Sequence, residues 1–144
     1  MARMLPELTR EQLRGLKSQA EARFYEECRR QLPADVLVLY SINWIFRNDR
    51  GWLLEGEADF TIVMPQSGVF AVEVKGGGVS FDAVTGRWQS IDRNSTVHDI
   101  KDPFRQAAGE RYALKDQLLG HALWRQWRGT RVTLGHAVML PDIH

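Results

Sequence analysis

One cysteine in 144 residues, Cys28, leaves no partner for an internal disulfide and fits a reducing compartment. There is no run of 18 apolar residues, so no segment reads as a membrane span. The N-terminus carries Arg3 and Glu7 with no apolar stretch behind them, unlike a secretory leader, and a cytoplasmic setting is expected. Charge of one sign is scarce: 19 basic and 18 acidic residues leave a net +1, which alone does not draw nucleic acid. Repeats, low-complexity tracts and linkers are missing too. Residues 1–144 therefore read as one domain, able to bury roughly two-thirds of its unfolded surface. Cys28 sits at helical spacing from Phe24 and Leu32, which reads as packing rather than as a reactive thiol.

What is present is a clear order of elements. Thr9–Leu32 has apolar residues at Leu13, Leu16, Ala20, Phe24, Cys28 and Leu32, an amphipathic helix re-started near Gly15 to Ser18. "DVLVLYSINWIF" reads as a strand stopped by the turn-rich "RNDRG". "EADFTIVMP" and "GVFAVEVKGG" read as two more strands joined by a hairpin, and "VSFD" and "RWQSID" as a smaller one. A second helix starts at Asp102 as N-cap and Pro103 as first helical residue. Gly109 and Gly120 weaken the expectation that it runs unbroken. "TRVTLGHAVMLP" closes as a strand. Helix, three strands, small hairpin, helix and strand make an α/β fold with a mixed central sheet, not a doubly wound one.

The strand "FAVEVKGG" holds the chemistry. Phe70, Ala71, Val72 and Val74 suit the middle of a sheet, yet Glu73 and Lys75 share one of its faces. Burying such charges costs several kcal/mol unless they are paired or hold something. If Gln66-Ser67-Gly68 is the hairpin loop, Pro65 pairs with Val69, Thr61 faces Glu73 and Asp59 faces Lys75. Asp59, Glu73 and Lys75 then converge. A loop longer by one residue sends Asp59 to the other side. Two carboxylates at a strand end suit Mg²⁺, which keeps several waters and takes one or two protein carboxylates; Mn²⁺ is expected to substitute. A lysine there orients a metal-bound water or stabilises charge on a phosphate. The glycines after Lys75 let a backbone or a substrate come close. The competing reading is an ordinary Asp59–Lys75 ion pair at a sheet edge.

These residues resemble the signature of the nuclease-related domain (NERD) family of the PD-(D/E)XK restriction-endonuclease-like superfamily. In that superfamily an aspartate opens one strand and Glu-x-Lys follows on the next, as Asp59, Glu73 and Lys75 do here. Ala58 stands where the superfamily has a proline. Glu21 in "SQAEARFYEECRRQL" matches the family's first-helix glutamate, "RWQS" follows the glycines, and Gln106 in "DPFRQA" matches the glutamine that opens the second helix. The match runs over about residues 18 to 140. It implies an αβββαβ restriction-endonuclease-like core and a Mg²⁺-dependent nuclease acting on nucleic acid, DNA before RNA. Asp59, Glu73 and the Val74 carbonyl are then metal ligands, Lys75 the water-orienting residue, and Glu21 and Gln106 supports for site or substrate. It also implies an adjoining or partner helicase-like ATPase domain, and "GHAVMLPDIH" fits a piece of something longer. The rival class is the same fold kept as a catalytically inactive nucleic-acid-binding or regulatory module.

Other residues carry plainer readings. From Pro103 on, six basic residues meet three acidic ones (Glu110, Asp116 and Asp142). Within that stretch Trp124, Arg125, Trp127, Arg128 and Arg131 read either as a helix end packed on the core or as a grip on phosphates and bases. His98, His121 and His136 lack metal-ligand spacing, and His144 is terminal. Trp88 reads as a packing residue, and Glu55 and Glu57 as solvated loop charges ahead of a reading in which either is an acid that supports the site. Glu21 also fits a helix cap, since Ser18-Gln19-Ala20-Glu21 is a capping-box pattern.

Overall fold

In the computed structural model, residues 1–47, 51, 53–92, 94–126 and 131–143 are described. The elements, in chain order, are β1 (Arg3–Leu5), α1 (Arg10–Arg14), α2 (Gln19–Gln31), β2 (Leu37–Arg47), β3 (Leu53–Met64) and β4 (Gly68–Val74). They continue with β5 (Gly78–Asp82), β6 (Arg87–Ile91), β7 (Val97–Ile100), α3 (Pro103–Gly120), α4 (Ala122–Gln126) and β8 (Leu134–Met139). Five strands form the main sheet in the order β1-β2-β3-β4-β8, with β1∥β2 and β4∥β8 parallel and the central pairs antiparallel. β5, β6 and β7 form a separate antiparallel sheet. A mixed central sheet flanked by helices is what the element order predicted.

The first helix does break and re-start. Thr9 caps α1 with a reciprocal Gln12 contact, and Ser18 caps α2 by accepting from the Glu21 amide at 3.2 Å. The apolar face of α2 then lies on the sheet. Ala22, Tyr25 and Cys28 are buried with Val38, Phe60, Ile62, Val72 and Val74. Phe24 meets Phe60 edge-on at 4.8 Å, and Tyr40 leans on Phe60 at 5.0 Å. The Tyr25 hydroxyl donates to the Pro6 carbonyl at 2.8 Å and accepts from the Leu8 amide at 2.9 Å, tying down the N-terminal segment. Burial pushes the Cys28 thiol up to about 11, as a packing role requires.

α3 covers the opposite face. Asp102 caps it, accepting from the Phe104 and Arg105 amides, and Pro103 opens it. It runs unbroken through Gly109. Its buried residues, Pro103, Ala107, Glu110 and Ala113, recur at three and four, and most are small, so its backbone can lie close on the sheet.

Three expectations change. β3 begins at Leu53 rather than Glu57, so Glu55 and Glu57 are strand residues, not loop charges, and the Ser41 hydroxyl donates to Glu57. β1 and β7 were not foreseen. The hairpin loop has three residues as expected, but they are Pro65, Gln66 and Ser67, because Gly68 already pairs with Met64. Gly68 has φ 118, and a Cβ there would lie 2.1 Å from the Thr133 carbonyl of the chain entering β8. Trp88 is a packing residue, with ring centroids 5.0 Å from Phe81 and 5.5 Å from Phe104. Trp127, Arg128 and His144 lie outside the described residues, as does the Arg125 side chain.

Candidate active site

The register sets the site. Phe60 pairs with Val72, Thr61 with Ala71 and Ile62 with Phe70. Glu73 is therefore not opposite Thr61, nor Lys75 opposite Asp59; the observed register differs from the expected one by two. A shift of two leaves every side chain on its face. Even-numbered residues point to α2, while Asp59, Thr61, Glu73 and Lys75 share the face toward α3.

Pairing between β3 and β4 stops at Phe60 and Val72, where the next step would join Ala58 to Val74. Instead the Val74 amide donates to the Asp59 carboxylate at 2.8 Å. The side chain of Asp59 thus takes the place of a strand–strand bond at the fork between the two strands. In a strand, N–H and C=O of one residue leave on the same side, so the Val74 carbonyl also points to the Asp59 side. β4 meanwhile stays paired to β8, with the Lys75 amide donating to the Met139 carbonyl at 3.0 Å.

Glu73 is 3% exposed, and the Lys75 ammonium meets its carboxylate at 2.5 Å. The ion pair at the strand end is therefore Glu73–Lys75, not the Asp59–Lys75 pair of the plainer reading. Burial, together with the Glu73 and Glu21 carboxylates, raises Asp59 to about 6 against the Val74 hydrogen bond and Lys75. Glu21 stands on the first turn of α2. Its Oε2 accepts from the Tyr40 hydroxyl at 2.9 Å, and burial and that bond raise the tyrosine. Ser18 caps the helix through the Glu21 amide, so the Glu21 carboxylate is committed to Tyr40 and the Asp59 side instead of to the cap.

Reasoning on the sequence missed Glu110, counting it only as one acid in a basic stretch. It is 7% exposed, and burial and the neighbouring Glu73 carboxylate push it up to about 9. Glu110 Oε2 and Gln106 Oε1 are buried with no hydrogen-bond donor facing them. Gln106 and Glu110 are one helical turn apart, on the sheet-facing side of α3. The available signal was that spacing, together with Ala107 and Ala113 marking the same side as buried.

The chain belongs to the nuclease-related domain family. The family model matches residues 16–141, and no curated protein and no solved structure matches the chain. Its mixed five-stranded sheet between helices is restriction-endonuclease-like. In this nuclease-related domain the residues expected on the hairpin (Asp59, Glu73, Lys75) do come together, with Glu21 reaching them from α2. No three His, Cys, Asp or Glu side chains among the described residues converge on one point that would hold a metal. The donor set is nonetheless that of a hydrated hard cation: two carboxylates flank a strand end, and buried acceptor oxygens beside them lack donors.

The other candidates lie elsewhere. His98 pairs with Asp92 on the small sheet and His136 is exposed on β8, while the His121 ring accepts from the Leu123 amide. No helix among the described residues is long and apolar enough to cross a membrane. Gly77, with φ +79, lets the Ile91 carbonyl of β6 approach to where a Cβ would be 2.4 Å away, so the backbone drawn close by the glycines is the protein's own. Beside them an open cleft of about 420 Å³ is lined by Lys17, Ser18, Arg23, Gly76, Ser90 and Asp142. Arg23 and the Gly77 amide (2.7 Å) both bind Asp142, just beyond β8.

Proposed function

We propose that the domain is a Mg²⁺-dependent nuclease that hydrolyses phosphodiester bonds, with DNA as its substrate. The observation that carries this is the single hairpin face holding Asp59, Glu73 and Lys75 at the fork between β3 and β4, in a chain of the nuclease-related domain family. Asp59 and Glu73, with the Val74 carbonyl, hold the cation, and Mn²⁺ substitutes for it. When bound, the cation supplies a water of lowered pKa and positive charge against the phosphate.

The chain's own residues do the rest. The Val74 amide fixes the Asp59 carboxylate, so one ligand is oriented by backbone rather than by a flexible side chain. Lys75, paired to Glu73 and still 25% exposed, faces outward, where a water and a phosphate oxygen arrive. Its ammonium orients the water and stabilises charge that builds on the phosphate in the transition state. Glu21 and its Tyr40 hydrogen bond set the negative potential behind Asp59, and Gln106 presents an acceptor from α3. Lys17, on the wall of the cleft, offers a cation to the strand backbone.

The test is incubation of purified protein with linear, circular and single-stranded DNA, each in Mg²⁺, Mn²⁺ or EDTA, with Glu73→Ala in parallel. Cleavage that needs the metal and disappears in Glu73→Ala is the expected result. Metal-independent cleavage, or full activity in Glu73→Ala, overturns the assignment. Binding of DNA with no cleavage under any metal makes the domain an inactive nucleic-acid platform.

A further inference from the structure

The two edges of the main sheet are unlike. β1 has three residues, opens on Arg3 and runs into Pro6. Shortness, charge and proline all discourage a further strand from pairing there. β8, at the other edge, spans the six residues Leu134–Met139 with no carboxylate, lysine, arginine or proline among them. Among the described residues no strand lies beyond it.

The direction of its free hydrogen-bonding groups follows from the bonds it makes. The Thr133 and Met139 carbonyls accept from the Val69 and Lys75 amides, so odd-numbered residues here turn their N–H and C=O toward β4. By alternation Leu134, His136 and Val138 turn theirs outward. The register sets those three opposite Val69, Ala71 and Glu73, with their side chains on the α3 face. Gly135, Ala137 and Met139 lie on the α2 face. There Ala137 and Met139 border a largely apolar groove of about 650 Å³, so that flank of the edge is apolar too.

The stretch Leu134-Gly135-His136-Ala137-Val138 reads alike in both directions: branched aliphatic, small, histidine, small, branched aliphatic. An antiparallel copy centred on His136 matches it throughout. Leu134 then exchanges both backbone bonds with Val138 of the second copy, and His136 with its own counterpart. Leucine meets valine on one face, and glycine meets alanine on the other. Such an interface is isologous and closes on itself, leaving only the guarded β1 edges outside.

We propose that the chain forms a two-fold dimer through antiparallel pairing of β8 with β8 of a second copy, joining two five-stranded sheets into one. An axis normal to the sheet carries the two β3–β4 forks to opposite ends of it, both on the α3 face. The inference does not draw on the proposed function.

Analytical ultracentrifugation of the purified chain over a concentration series tests it, with variants at the exposed His136. Wild type should shift from one chain to two as concentration rises. His136→Lys sets two ammoniums face to face at the axis, and His136→Glu two carboxylates. Each alone should raise the dissociation constant at least about tenfold. Mixing the two should restore the dimer as a heterodimer, because lysine then faces glutamate, and that rescue also shows that both variants fold. Val138→Pro removes an outward N–H, leaves the β4 ladder intact and should weaken the dimer as well. Wild type that stays a single chain at every concentration overturns the proposal. So does a dimer that the lysine and proline variants leave at full strength, since the copies then meet elsewhere. Weakened variants that fail to recover on mixing overturn it too.

Discussion

On one face of the β3–β4 hairpin Phe60, Ile62, Val72 and Val74 are buried against α2; on the other Asp59, Thr61, Glu73 and Lys75 lie toward α3. The same two strands thus carry a core and a charged site, separated only by the thickness of a sheet. The apolar face is satisfied: aromatic edges meet Phe60, and each side chain removes hydrocarbon from water. The charged face is not, since Asp59 and Glu110 are both held above the carboxylate range and two acceptors lack donors. Stability accumulates on one side, and strain that a ligand can relieve accumulates on the other.

One large substitution on each face tests the difference most directly. Phe60→Ala should lower unfolding free energy by about 3–5 kcal/mol in urea titration. Glu73→Gln should do the reverse: a melting temperature equal to or above wild type, because a buried like-charge neighbour is gone, with cleavage reduced at least ~10³-fold, about 4 kcal/mol in barrier. If Glu73→Gln melts far below wild type, the charged face contributes to the core after all.

The pH dependence sharpens it further. Asp59 has a folded pKa of about 6 against an ordinary 3.8, chiefly through burial. Between those values the folded state holds the extra proton, so stability from this group is present below about pH 4 and is lost as pH rises through 6. After allowance for partial exposure the loss is about 1–2 kcal/mol. Asp59→Asn should flatten that part of the profile, read as melting temperature against pH without metal, and leave the slope at higher pH that comes from Glu110. With Mn²⁺ the sign reverses, since the cation selects the ionised carboxylate, and affinity should rise through pH 6.

Two smaller changes separate cap from site on the first turn of α2. Glu21→Gln should melt near wild type but cleave at least tenfold more slowly, about 1.4 kcal/mol. Ser18→Ala removes the cap and should cost about 1 kcal/mol of stability while sparing cleavage. Normal cleavage by Glu21→Gln would reduce Glu21 to a partner of Tyr40.

The face assignment was legible in the sequence because alternation tolerates error: the loop was placed one residue late and the register two residues off, and neither moves Asp59 across the sheet. Caps at Ser18 and Asp102 were legible because capping is local. β1 and β7 were not, being three and four residues long and too short to show alternation. Glu110 was not, because its significance lies in Glu73, a contact that only packing of α3 on the sheet creates. Tyr40 as the partner of Glu21 was hidden for the same reason.

Asp142 holds Arg23 of α2 and the amide of Gly77, joining α2, the bend after β4 and the segment after β8 at one carboxylate. Such a clasp closes long loops, whose closure entropy must be met before the contact repays it. The bend after Lys75 is pinned by a residue that lies beyond β8, 65 positions further along the chain. On the proposed function, the shape of the chain beside Lys75 depends on a contact made from beyond β8.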